Sequence, residues 1–231
     1  LVGSEMCIRD RKRSDIKREA AKIINEELTV DDSLFLYHDV CTNGIGYVDL
    51  MFKTDSIAPE QIPYLGLLKS VLGYVDTENY TYGELFNEIN ANTGGINCGV
   101  EVFDRADSTE EFQAMFSVRG KALYTKMDFL FKMIGEILNS SKLEDTKRLY
   151  EIVASVKSRA QVNLTGAGHS TAVLRAAAYS SPMAAFQDEM AGIGYYQFIE
   201  KLEKDFEQRK EETVEELCKL MKKIFRPENF M

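Results

Sequence analysis

The chain is short of the residues that bind metals and build disulfides. It has two histidines, His38 and His169, in 231 residues. A zinc site of the H-x-x-E-H or H-E-x-x-H kind needs two on one helix face, because ligands four apart converge on one ion. His38 is followed by Asp39-Val40-Cys41 and His169 by Ser170-Thr171-Ala172, so neither has a partner at that spacing. The four cysteines, Cys7, Cys41, Cys98 and Cys218, include no C-x-x-C pair and no disulfide ladder. Reduced thiols and a cytoplasmic protein are the expectation. No apolar run reaches the ~20 residues that span a bilayer, and the N-terminus has no signal-peptide h-region, so no membrane partner is expected. The glycine-containing pieces Thr42-Asn43-Gly44-Ile45-Gly46, Thr93-Gly94-Gly95 and Gly166-Ala167-Gly168 have neither a P-loop lysine nor the G-x-G-x-x-G spacing, and read as turns or helix interruptions. The formal net charge of −9 argues against a nucleic-acid partner, since phosphate binding needs a basic surface.

What is present is strong periodicity. Ile16, Ala20, Ile23, Ile24 and Leu28 stand at helical spacing. Strands are expected at Leu34–Val40 and Ile45–Lys53, around the turn residues Thr42-Asn43-Gly44. The second is apolar on both faces and is expected to be central in a sheet. Pro59 precedes a helix at Glu60–Leu72. Thr81 and Glu84 form a capping box for another, which ends at Gly94-Gly95. Ile96–Phe103 and Glu111–Arg119 alternate with period two, and their short connection predicts an antiparallel hairpin. Leu123, Met127, Leu130, Phe131, Ile134, Ile137 and Leu138 follow an amphipathic helix, and Leu149 to Val156 begin the next. Ser181-Pro182 is an N-cap with proline at the first helical position. It opens a helix expected to run through Phe186, Met190 and Ile193 to Phe206. Val214 to Phe225 form the last. Strands gather early and helices late, so the fold class is α+β, an antiparallel-rich sheet covered by helices, with long C-terminal helices.

The runs LYHDVCTNGIGYVDLMF (Leu36–Phe52) and RAAAYSSPMAAFQDEMAGIGYYQFIEKLEKDF (Arg175–Phe206), supported by Tyr80–Ile96, resemble the C-terminal half of pitrilysin/insulinase-type zinc peptidases, nearest to the presequence-protease branch. The resemblance implies the first domain of a non-catalytic half, in proteins whose two homologous halves close around unfolded peptides. It places residues 12–32 at the end of a linker helix between the halves and 33–231 in one α+β domain cut before the next. Residues 1–11 fit nothing that follows and read as a non-native leader. Zinc and the glutamate base are implied for the absent N-terminal half, and substrate-holding residues for an absent final domain. The implied partners are that half, the final domain and unfolded peptide substrates.

The segment implied to match the zinc helix is Ile62–Val71, IPYLGLLKSV, which has no histidine or carboxylate and cannot hold zinc. No catalytic residue, metal ligand or cofactor is therefore assigned to this chain, and alone it is expected to be inactive. His38 and Cys41 stand three apart on one expected strand, on opposite faces, which argues against a thiol dyad. Tyr195 and Tyr196 are adjacent and cannot both face one core. The wetter sheet face would look into the chamber, with Asn97, Glu101, Glu111, Gln113 and Ser117 as candidate lining and its acidity favouring cationic peptides. The functional expectation is a chamber-forming domain of a zinc oligopeptidase. The alternative is an inactive relative acting as a binding or assembly subunit.

Overall fold

The computed structural model describes residues 19, 24–30, 33–105 and 107–230. The order is β1 (Glu26–Val30), β2 (Ser33–Tyr37), β3 (Ile45–Lys53), α1 (Ile62–Val71), α2 (Tyr82–Asn92), β4 (Ile96–Arg105), β5 (Ser108–Leu123), α3 (Met127–Ser140), α4 (Thr146–Gly166), α5 (Gly168–Ala177), α6 (Pro182–Ala191), α7 (Ile193–Lys204) and α8 (Phe206–Ile224). The expected α+β architecture is observed. β3, β5 and β4 form one antiparallel sheet with β5 in the middle, and β1 and β2 pair as a separate hairpin.

The β4–β5 register sets Cys98 opposite Val118, Val100 opposite Phe116 and Val102 opposite Ala114. These alternate residues form the face that packs on the helices, as period-two spacing requires. Phe116, Val118, Leu130, Met133, Leu65, Leu68, Ile199 and Leu217 are among the side chains that close the core. α1 runs through its centre, with Leu65, Leu67, Leu68 and Val71 all without exposure. Gly66 lets α6 and α7 approach it: a Cβ there would lie 2.7 Å from the Met190 carbonyl and 2.8 Å from the Tyr195 ring.

Local signals were followed closely in places. Thr81 Oγ1 accepts from the Glu84 N–H at 3.3 Å while a Glu84 carboxylate oxygen accepts from the Thr81 N–H at 3.0 Å. Ser181 Oγ accepts from the Ala184 N–H at 3.3 Å. Asn43 (φ 52°) and Gly44 (φ 84°) take the left-handed region that the turn requires, closed by the Ile45 N–H to the Thr42 carbonyl at 3.2 Å.

Four expectations need correction. The described end of the expected linker helix, Glu26–Val30, is a strand paired to Ser33–Tyr37; apart from residues 19, 24 and 25, the rest of that run lies outside the described residues, as do residues 1–11. β3 is an edge strand, with β5 central. Leu123 ends β5 and does not begin α3. The single helix expected from Ser181 to Phe206 is broken twice, at Gly192 and at Asp205.

Candidate functional site: a bare sheet face beside an apolar central helix

The face of the sheet opposite the core carries the predicted lining residues. Asn97 and Glu111 are exposed, Glu101 and Gln113 half-buried, and Ser117 buried at 1% exposure. Ser117 therefore floors the face and is not open lining; its hydroxyl has no hydrogen-bond partner. Arg119 organises the centre. Its Nε donates to Asp49 on β3 at 2.8 Å and its other arm meets Glu101 on β4 at 3.1 Å. In register Arg119 stands opposite Asn97, Ser117 opposite Gly99 and Met115 opposite Glu101. The guanidinium thus crosses the Ser117–Gly99 rung to reach Glu101. Gly99 leaves that path open, since a Cβ there would lie 3.1 Å from Ser117 Oγ. The Asp49 hydrogen bond and charge hold the arginine above its ordinary pKa. Toward the β4–β5 turn, Glu111 pairs with Arg105 at 3.1 Å and Gln113 donates to Asp55 at 2.7 Å. The expected acidic lining is thus largely neutralised by arginine.

The other thiol and imidazole readings do not assemble a site. Cys41 Sγ lies 3.7 Å from Asn43 Oδ1, and His38 Nδ1 lies 3.2 Å from the Ile24 carbonyl. Cys98 faces the helices, where burial pushes its thiol up to about 12, the opposite of nucleophile activation. Among the described residues, no group of three or more His, Cys, Asp and Glu side chains could hold a metal ion. α1 supplies packing where a zinc helix would supply ligands: its one polar anchor is Tyr64, whose hydroxyl accepts from Arg209 at 2.9 Å.

Residues 7–202 match the model of the domain associated with subfamily C of peptidase family M16. The chain belongs to this domain family. It is 35% identical to Protein HypA of Clostridium perfringens over 94% of its own length and 22% of that protein. It is 28% identical to the mitochondrial presequence protease of Yarrowia lipolytica over 88% of its length and 20% of the protease. It is 27% identical to presequence protease 1 of Arabidopsis thaliana over 86% of its length and 18% of that protein. The chain thus spans about a fifth of the length of the curated relatives it matches.

This peptidase-associated domain also contains a polar hub that periodicity does not reveal. Asp188 of α6 is 1% exposed. It accepts from the Ile193 and Gly194 N–H groups, both at 3.1 Å, and from the Arg175 guanidinium of α5. It therefore caps the start of α7, satisfying donors that a helix N-terminus leaves open, while tying α5 to the same point. The available signal was an aspartate four and six residues before Gly192 and Gly194. Of the tyrosine pair, Tyr195 is buried at 5% exposure, and Tyr196 is half-buried with its hydroxyl donating to Glu200 at 2.9 Å.

Proposed function

We propose that this domain is a non-catalytic wall of the peptide chamber of a zinc peptidase of the presequence-protease type, with the metal held by another part of the protein. The observation that carries the reading is the two-sided sheet. One face is sealed by helices, and the other offers a row of polar side chains, Asp49, Arg119, Glu101 and Gln113, held upright by their own ion pairs and hydrogen bonds. Such a face suits transient contact with varied unfolded peptides better than tight recognition of one ligand. The β1–β2 hairpin supports a role inside a larger assembly. Leu28, Phe35 and Tyr37 on one side and Leu34 and Leu36 on the other are each 38–50% exposed, a concentration of apolar surface that marks contact with a partner.

The test is reconstitution. The chain is mixed with the N-terminal half of its parent protein, and cleavage of an unfolded peptide is followed with and without chelator. Restored, chelator-sensitive cleavage supports the chamber reading. Tight association without any cleavage moves the assignment to an inactive binding or assembly subunit.

A further inference from the structure

Beside α1, a cavity of about 510 Å³ opens against β4. One wall is the end of α1, from Lys69, together with Phe86 and Ile89 of α2; the other is β4 from Ile96 to Glu101. β4 is an outer strand, and among the described residues no strand pairs with its far edge. In an antiparallel ladder alternate residues turn both N–H and C=O away from the partner strand. This edge therefore presents main-chain donors and acceptors that a further strand could use.

The charged side chains around the cavity are uneven. Lys69 and Arg159 both line it. Among the described residues neither stands within ion-pair distance of a carboxylate. Glu101, the acidic member of the lining, is committed to Arg119. Burial depresses the Lys69 amine below its ordinary pKa, as expected of an ammonium drawn from water without a counter-charge. The buried Tyr195 hydroxyl has Ser70 and Arg159 of the same lining as its polar neighbours. In a chain of net charge −9, two uncompensated cations on one cavity are not background.

We propose that this groove takes an extended peptide as an added strand on β4, with a carboxylate of that peptide held by Lys69 and Arg159. The carboxylate is either the peptide C-terminus or an acidic side chain. Main-chain pairing gives sequence-tolerant affinity, and the two cations fix where along the edge the peptide stops. The inference rests on the chamber reading and adds to it a location and a chemical preference. The bare sheet face meets passing substrate, whereas the β4 groove holds acidic or carboxyl-terminal segments.

Fluorescence anisotropy of labelled peptides with the 231-residue chain tests it. Three peptides share one extended sequence: one with a free C-terminus, one amidated, and one amidated with an internal aspartate. The free-acid or aspartate peptide should bind about tenfold more tightly than the amidated one, and which of the two does identifies the source of the carboxylate. The K69Q/R159Q double variant should remove that advantage. N-methylation of alternate peptide residues should abolish binding in one phase and spare it in the other. Equal affinity for all three peptides, no binding by any of them, an unaltered preference in the double variant, or insensitivity to the phase of methylation would overturn the proposal. None of these results depends on peptide cleavage. Reconstituted activity that persists in K69Q/R159Q would leave the chamber reading standing, whereas groove binding without reconstitution would leave the groove standing.

Discussion

Asp188 occupies the space that a side chain at Gly192 would need: a Cβ there would overlap the aspartate Oδ1. The glycine and the aspartate are therefore one device, in which the chain turns between α6 and α7 closely enough for the carboxylate to cap the second helix. Asp188→Ala leaves the Ile193 and Gly194 N–H groups buried without an acceptor, at a cost of about 2–3 kcal/mol. Thermal unfolding should fall by roughly 5–10 °C for a chain of this size. Gly192→Ala should be destabilising in the same assay, and combining the two should cost less than the sum of the singles, because the overlap with the carboxylate disappears and only the 2.9 Å approach to the Asp188 Cα remains.

Gly66 presents a competition of known terms. Alanine is favoured over glycine in a helix by about 1 kcal/mol. Against this, the new methyl would press on the Met190 carbonyl at 2.7 Å. Backbone cannot step aside as a flexible side chain can, and overpacking of this kind costs about 1–3 kcal/mol. Gly66→Ala is therefore expected to destabilise, by a net of about 1 kcal/mol, in denaturant titration. A stabilised variant would mean that α6 and α7 shift freely against α1.

Glu136, 9% exposed on α3, accepts from the Asn79 main-chain N–H at 3.1 Å and from its side-chain amide at 2.9 Å. The neighbouring Thr77 hydroxyl, followed by these Asn79 groups, holds its carboxyl below the ordinary value of 4.5. A depressed folded-state pKa contributes stability that is fully present above the unfolded value and lost as pH falls through the folded one. Stability should therefore decline below about pH 4.5 partly through this site. Glu136→Gln should be less stable than the parent at pH 7 and lose less on acidification. Parallel pH profiles for the two proteins would rule the site out as a contributor.

Exposed apolar residues on both faces of the β1–β2 hairpin should make the isolated chain self-associate. Leu28 and Phe35 stand opposite each other in the register. Light scattering of the chain should show concentration-dependent association, reduced in L28S/F35S without loss of helical circular dichroism. A monodisperse monomer at high concentration would remove the hairpin as a contact surface.

The same hairpin shows where sequence reading fails. Ile24 and Leu28 are four apart, a spacing that suits one helix face and, equally, one strand face; Val30 breaks the tie only once the pairing with Ser33 is known. Thr81–Glu84, Ser181-Pro182 and the β4–β5 alternation were legible because the interactions are local, or repeat over a whole element. The order of strands in the sheet was not. β3 has apolar residues on both faces, as a central strand would, yet it lies at the edge, touched there by an isolated bridge from Phe52 to Phe230. The alternation of Asn97, Glu101, Gln113 and Ser117 placed them correctly on one face. It could not show that Arg119 would neutralise Glu101 and Asp49, or that Ser117 would be sealed in, because those outcomes depend on side chains reaching across strands distant in sequence.

We propose that this domain completes a peptidase whose zinc is held by another part of the protein. The direct measurement is the rate of cleavage of an unfolded peptide by the chain, by the N-terminal half of its parent protein, and by the two mixed, each with and without chelator. The expected result is negligible cleavage by this chain alone and chelator-sensitive cleavage by the mixture well above that of the N-terminal half alone. Chelator-sensitive cleavage by this chain alone, or a mixture no more active than the N-terminal half without it, would contradict the claim.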